Sequence, residues 1–553
     1  MNPFKTSKLL LYLIFLLTCS CAKNKETQVD EIFAKWNSNK TPGAAVAVVK
    51  DGKIIYKSAY GMANLEYGIP NSTETIFHIA SVSKQFTVFS ILLLAKEGKL
   101  SLEDDVRKFI PDVPDFGKTI TLRHLANHTS GLRDQWNLLA LAGWRLDDVI
   151  TKDHVLKLVS KQKDLNFEPG DEYLYCNTGF TLLAEVVAKV SGKSFAEFTK
   201  ANIFQPLGMN STLFYDDHER IVPNRAYSYK GDSTGYKKSV LSYANVGATS
   251  LFTTVEDLSL WVANFSKPKV GDSDLIDEMN TPAVLNNGEN FGGALGQFVG
   301  EYNGQLEISH GGADAGYRTY LARYPEQDLA VIVFSNDASF SSGSVAHQVA
   351  DIFLEGINES WEEKEQEEGT EEIEIDLNTL LFYAGDYELE PGYMLSVKED
   401  DGRLSLHPTG DKPYPLKALS KTEFKVGDLE FRIEFLPDAD GKTDSLKLHS
   451  GSQPQIAVRT APFDPTTVNL SEYVGSYFSC ELSTTYHFVV DGDILLGKHS
   501  RHPDIHFNPL KPDIFSGNIW FFGQAEFVRN DQGTITGLKA SSGRVRNIKF
   551  EKV

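Results

Sequence analysis

At 553 residues the chain exceeds what one hydrophobic core can organise, and at roughly 150 residues per domain it divides into three or four units. A composition that is 41% hydrophobic, 23% charged and 11% aromatic is that of a globular protein, which excludes a disordered or membrane-embedded chain. The formal net charge of −21 leaves no basic face for phosphate contacts and excludes nucleic-acid binding.

The first element is an export signal. Lys5 and Lys8 precede an apolar run from Leu9 to Leu17, long enough for a signal-peptide core and too short to span a bilayer. Thr18-Cys19-Ser20-Cys21 comes next and resembles a bacterial lipoprotein cleavage site, with Cys21 as the expected lipidated residue and Cys19 as the alternative. This predicts residues 1–21 as a signal, a mature lipoprotein in the periplasm or cell envelope, and membrane contact through a lipid anchor. Beyond it only Cys176 and Cys480 remain, so a disulfide framework is excluded. No Cys and His cluster has zinc spacing, and neither a metal nor another cofactor is expected.

From Ala44 to Lys50 runs an apolar strand, Asp51-Gly52 supplies a turn, and Lys53 to Tyr60 returns. A second hairpin pairs Arg318–Tyr324 with Leu329–Ser335 around Pro325–Asp328, and after it comes a helix with Val345, Val349, Ile352 and Phe353 on one face. Helical patterns fill the middle. One α+β domain over residues 28–358 is therefore expected, an antiparallel sheet flanked by helices plus a helical region.

Residues 359–376 are dense in glutamate and read as a solvated linker. The C-terminal remainder of the chain repeats at an offset of about 90 residues: Tyr383-Ala384-Gly385-Asp386-Tyr387 returns as Tyr473-Val474-Gly475-Ser476-Tyr477, Phe424 as Phe515, and Leu446-Lys447 as Leu538-Lys539. Two small antiparallel β-barrels are expected, over 377–464 and 465–553, since closure removes exposed strand edges.

Ser-x-x-Lys occurs four times, and only Ser81-Val82-Ser83-Lys84 opens a long apolar helix, with Val82, Phe86, Phe89 and Leu93 at helical spacing and Gly98 as its stop. Taken alone this is an N-cap serine with a solvated lysine. A serine hydroxyl needs a base to become a nucleophile. Lysine at its reference pKa of about 10.4 is neutral in only about one molecule in a few thousand at pH 7, so its surroundings must lower that value. Tyr173-Leu174-Tyr175-Cys176-Asn177 offers a phenol, with Tyr175 and Asn177 on one side of an extended loop. Ser309-His310-Gly311-Gly312-Ala313 offers a glycine pair that lets backbone approach a ligand.

In this order and combination, Ser81-x-x-Lys84, Tyr175-x-Asn177 and His310-Gly311-Gly312 resemble the serine β-lactamase and penicillin-binding-protein superfamily, in its class C and esterase-like branch. Phe77-His78-Ile79-Ala80 and Leu125-Ala126-Asn127-His128-Thr129-Ser130-Gly131-Leu132 agree with it. The resemblance implies that Ser81 is acylated, that Lys84 and Tyr175 exchange protons with the attacking oxygen and leaving group, that Asn177 holds the substrate amide or the lysine, and that the main-chain N–H groups of Ser81 and Ala313 form an oxyanion hole. His128 is read as structural. His310 stands where a lysine is usual, which weakens an antibiotic-hydrolysing reading, because neutral imidazole attracts a carboxylate less.

With two terminal barrels the chain is most similar to bacterial D-aminopeptidases, in which a barrel loop restricts the active-site mouth; residues 499–513 are the candidate loop here. Expected function is thus hydrolysis of short peptides or amides through an acyl-enzyme. The alternatives are a carboxylesterase, a β-lactamase, or a non-catalytic ligand-binding or sensor protein.

Overall fold

A computed structural model describes residues 24–355 and 375–553, apart from positions 410, 428, 430, 439–440 and 450–453. Cys19, Cys21 and nearly all of the expected acidic linker lie outside the described residues.

The first hairpin consists of β1 (Ala44–Lys50) and β2 (Lys53–Tyr60), turning through Asp51 and Gly52 at φ 53° and 73°. Late in the domain come β3 (Gly293–Ala294), β4 (Gln297–Tyr302), β5 (Gln305–Asp314), β6 (Tyr317–Tyr324) and β7 (Leu329–Ser335). All join one antiparallel sheet of order β3-β4-β5-β6-β7-β1-β2, so the two ends of the domain meet where β1 pairs with β7. Alternation decides which way each side chain goes. Ala44, Val46 and Val48 enter a cluster with Val29, Phe33, Val345 and Val349, while Ala45, Ala47 and Val49 enter the main core. Because helices cover both faces, β1 and β7 read as unbroken apolar runs rather than as half-polar strands.

Helices α1 (Lys25–Ile32), α2 (Lys84–Lys96), α3 (Asn177–Ser191), α4 (Val255–Ser266) and α5 (Ser342–Phe353) matter most. α1 and α5 cover one face of the sheet. On the other, α4 sets Trp261 against Phe86 and Phe89 of α2, with ring centroids 4.3 and 4.9 Å apart. α2 is enclosed on all sides from Lys84 to Leu92, with α3 packed along it.

The repeat closes into two eight-stranded barrels, Gly385–Arg459 and Gly475–Lys552 in strand extent. Their correspondence extends to single hydrogen bonds: Tyr387 donates its hydroxyl proton to the Tyr383 carbonyl at 2.8 Å, and Tyr477 to that of Tyr473 at 2.9 Å.

Candidate active site

Ser81 sits in a 3-10 turn (Ala80–Ser83) that leads into α2 rather than in the α-helix itself. Ala80 takes φ 47°, a left-handed conformation costly for a residue with a Cβ, and so turns the chain sharply just before the serine. β5 passes beside this turn. A Cβ on Gly312 would lie 2.2 Å from Thr319 Oγ1 and 2.5 Å from the Ile79 carbonyl, so only glycine permits the approach. β4 pairs with β5 only as far as Ser309, whereas β6 pairs on to Asp314; His310–Asp314 therefore faces the site with one edge uncovered by β4.

Lys84 is fully buried. Its Nζ lies 3.0 Å from Ser81 Oγ, 2.8 Å from Asn177 Oδ1 and 2.7 Å from the Ala248 carbonyl. Burial lowers its pKa to about 7, against the upward pull of Asp314 and Asp134, and Arg544 adds to the lowering. Asn177 is the first residue of α3, not part of a loop, and Asp134 fixes its amide: one carboxylate oxygen accepts from Asn177 N at 2.7 Å and from Nδ2 at 2.8 Å, which turns Oδ1 to the lysine.

Tyr175 lies 4.9 Å by ring centroid from Lys84 Nζ, with the Ser81 side chain close enough to act on its hydroxyl. Burial raises its pKa strongly, with the Ser81 contact and Arg544 opposing, so it remains a phenol at neutral pH. His128, at φ 61°, stacks on this ring at 4.1 Å and accepts the Cys176 N–H at 3.0 Å through Nδ1. It positions the tyrosine segment. Cys176 and Cys480 are both free thiols.

His310 is buried and its ring centroid lies 6.2 Å from that of Tyr175. Nδ1–H donates to the Gly311 carbonyl at 2.6 Å, and burial with Lys84 nearby lowers its pKa to about 3. It is neutral. Nε2 is buried without a partner among the described residues.

A cavity of about 470 Å³ opens from Ala313 and is walled by Trp136, Tyr243 and Asp314 of the catalytic domain, Glu390 of the first barrel, and Trp520 and Arg544 of the second. Trp136 and Tyr243 stack at 4.6 Å. Asp314 accepts a hydrogen bond from Thr249 Oγ1, and burial raises its pKa to about 6. Glu390 is also raised by burial, with Arg544 and Arg546 pulling the other way.

Residues 499–513 are absent from this cavity's wall, which corrects the expected gating segment. His499 instead meets the catalytic domain elsewhere, where a Cβ on Gly143 would lie 2.3 Å from its ring. Asp134, Glu390 and Arg544 are not apparent from the sequence. Asp134 stands two residues past the segment that ends at Leu132, close enough to draw notice, whereas the barrel residues carry no local motif.

Residues 28–353 match the family described as Beta-lactamase. The chain belongs to the β-lactamase family. It is a hydrolase of the serine type. Penicillin-binding protein 4* of Bacillus subtilis (strain 168) is 29% identical over 463 residues, covering 79% of this chain and 99% of that protein. The D-aminopeptidase of Brucella anthropi is 26% identical over 533 residues, covering 93% and 96%. Among solved structures, the octameric penicillin-binding protein homologue from Pyrococcus abyssi aligns with a TM-score of 0.55 at 25% identity, covering 78% of this chain and 99% of that one.

Proposed function

We propose that this member of the family is an aminopeptidase or amidase for short substrates with a free amino end, acting through an acyl-enzyme on Ser81. Lys84 is the base, because its pKa near 7 makes it neutral in a large fraction of molecules, whereas Tyr175 is held far from ionisation. Neutral Lys84 keeps two N–H groups for Asn177 and the Ala248 carbonyl and turns a lone pair to Ser81. As Ser81 Oγ bonds to the substrate carbonyl carbon, its proton passes to Lys84. The resulting oxyanion is met by the N–H groups of Ser81 and Ala313. Tyr175 relays a proton to the leaving nitrogen as the amide C–N bond breaks and recovers one from Lys84. A water then repeats the sequence against the ester, releasing the acid and restoring Ser81 Oγ–H.

The charge in the cavity carries the substrate reading. Asp314 and Glu390 line the cavity with Arg544, and neither acid has an Arg or Lys within ion-pair distance among the described residues, so either carboxylate when ionised carries an unpaired negative charge. A substrate ammonium would neutralise it. The preference for D-residues is supported by the relatives alone. Neutral His310 disfavours substrates held by a carboxylate there, such as β-lactams. Purified protein should release p-nitroaniline from D-alanine p-nitroanilide, and Ser81→Ala should abolish this; no turnover on D- or L-anilides, with p-nitrophenyl acetate still cleaved, would make the protein an esterase instead.

Export as a lipoprotein is also proposed, supported by Lys5, Lys8, the Leu9–Leu17 run and Cys21. The mass of protein extracted from membranes checks it: an unlipidated or uncleaved N-terminus would reject it.

A further inference from the structure

Several of the contacts that dock the second barrel converge on one hairpin, Ile535–Ser542 with Val545–Lys552. Arg133 of the catalytic domain is buried and pairs with Glu481 at 2.9 Å, while its guanidinium also donates to the carbonyls of Arg546 and Asn547. The Arg544 carbonyl accepts from Asp134 N at 3.2 Å and from Asn166 Nδ2 at 3.0 Å. Asp134 is the residue that orients Asn177 toward Lys84. The backbone of Arg544 is thereby tied to the frame of the catalytic centre, and its guanidinium lies 4.8 Å from the centroid of the Tyr175 ring. Arg544 is exposed on the cavity side and forms no ion pair among the described residues, so its charge is not consumed in holding the barrel in place.

We propose that Arg544 is a positioning residue of the catalytic centre: its guanidinium holds Tyr175 against Ser81 and sets the field in which Lys84 works, so that the hydrolase is complete only with the second barrel docked. A cation over a phenol ring attracts its π face and fixes the ring. The same charge disfavours a second one on Lys84. Asp314, Asp134, Cys176, Tyr175 and the neutral rings of His128 and His310 also face Lys84, and the two carboxylates oppose Arg544. Removing Arg544 leaves that opposition unbalanced, which raises the lysine pKa and moves the acidic limb of the rate profile to higher pH.

The inference rests on Ser81, Lys84 and Tyr175 as the machinery, and not on the choice of substrate. It is tested with the full chain on a neutral ester, p-nitrophenyl acetate, alongside D-alanine p-nitroanilide. Arg544→Met should lower kcat about 10- to 100-fold on the ester and shift its acidic limb upward, Arg544→Lys should restore most of both, and Lys539→Met, on the same hairpin but paired with Glu526 of its own barrel, should leave them unchanged. If Arg544→Met keeps the ester kcat and pH limb, or changes only the anilide, the inference fails. A Met variant that unfolds early is judged by the Lys variant, which keeps the charge: no recovery of rate at normal melting temperature also overturns it. Ser81→Ala separates the two levels, since activity surviving there rejects the nucleophile rather than the role of Arg544.

Discussion

The two barrels share one design and differ in how they are held. The first encloses its own core around Tyr387, Phe424, Phe435 and Leu446, separate from the rest of the molecule. The second is continuous with the catalytic domain: Tyr477, Tyr486, Phe522 and Phe550 belong to the same apolar cluster as Phe86 and Trp261. Tyr486 donates its hydroxyl proton to the Leu141 carbonyl at 3.1 Å, and Lys549 pairs with Asp164 at 2.8 Å. Among the described residues the first barrel lines the cavity at the strand end Glu390, and in the turn after it Gly392 sits so close to the Gly523 carbonyl of the second barrel that a Cβ would approach it to 2.0 Å. Of two copies of one fold, one therefore shares the catalytic domain's apolar core and the other contributes Glu390 to the cavity wall.

The largest expected effect comes from breaking the firmer attachment. Glu481 is 1% exposed by side chain, and its Oε2 accepts from both Arg133 and the Lys163 N–H. Glu481→Gln leaves Arg133 charged and buried without its counter-ion, which costs about 3 kcal/mol or more. Urea unfolding should show the catalytic domain and the second barrel losing stability together, with ester and anilide hydrolysis falling as Arg544 withdraws. Unchanged stability, or a barrel that melts off while activity persists, would mean that the continuity of the two cores has no functional weight.

How much of this is legible in the sequence depends on the range of the interaction. The β1–β2 and β6–β7 hairpins can be read because turn residues and short apolar runs are local. The barrel repeat can be read because the same packing problem recurs, down to the Tyr387 and Tyr477 hydroxyls. Ser81, Lys84, Tyr175 and His310 stand out because their short spacings are unusual in combination, and the structure gathers them around one cleft. The orienting role of Asp134 depends on a contact with Asn177 across 43 positions, and Arg544 on one with a ring in another domain. Neither leaves a pattern within a window of sequence. The 499–513 loop rests on domain order, and order alone does not say which of a barrel's strand connections faces the site.

A smaller effect sharpens the first barrel's side of the comparison. Glu390 is the first barrel's contribution to the cavity, half-buried, with its carboxylate against Gly543, where a Cβ would come within 2.2 Å of Oε2. If it receives a substrate ammonium, Glu390→Gln removes a charged partner and should raise KM for D-alanine p-nitroanilide about 10-fold, leaving kcat nearly intact and p-nitrophenyl acetate unaffected. The pH dependence has a definite sign. Burial raises the Glu390 pKa above the ordinary carboxylate range, and Asp314 reaches about 6, so both acids become neutral as pH falls and the anilide KM should climb on the acidic side. In Glu390→Gln that climb should shrink to the part owed to Asp314. A variant that loses ester and anilide hydrolysis alike would show that the first barrel, like the second, supports the catalytic centre itself rather than selecting what enters it.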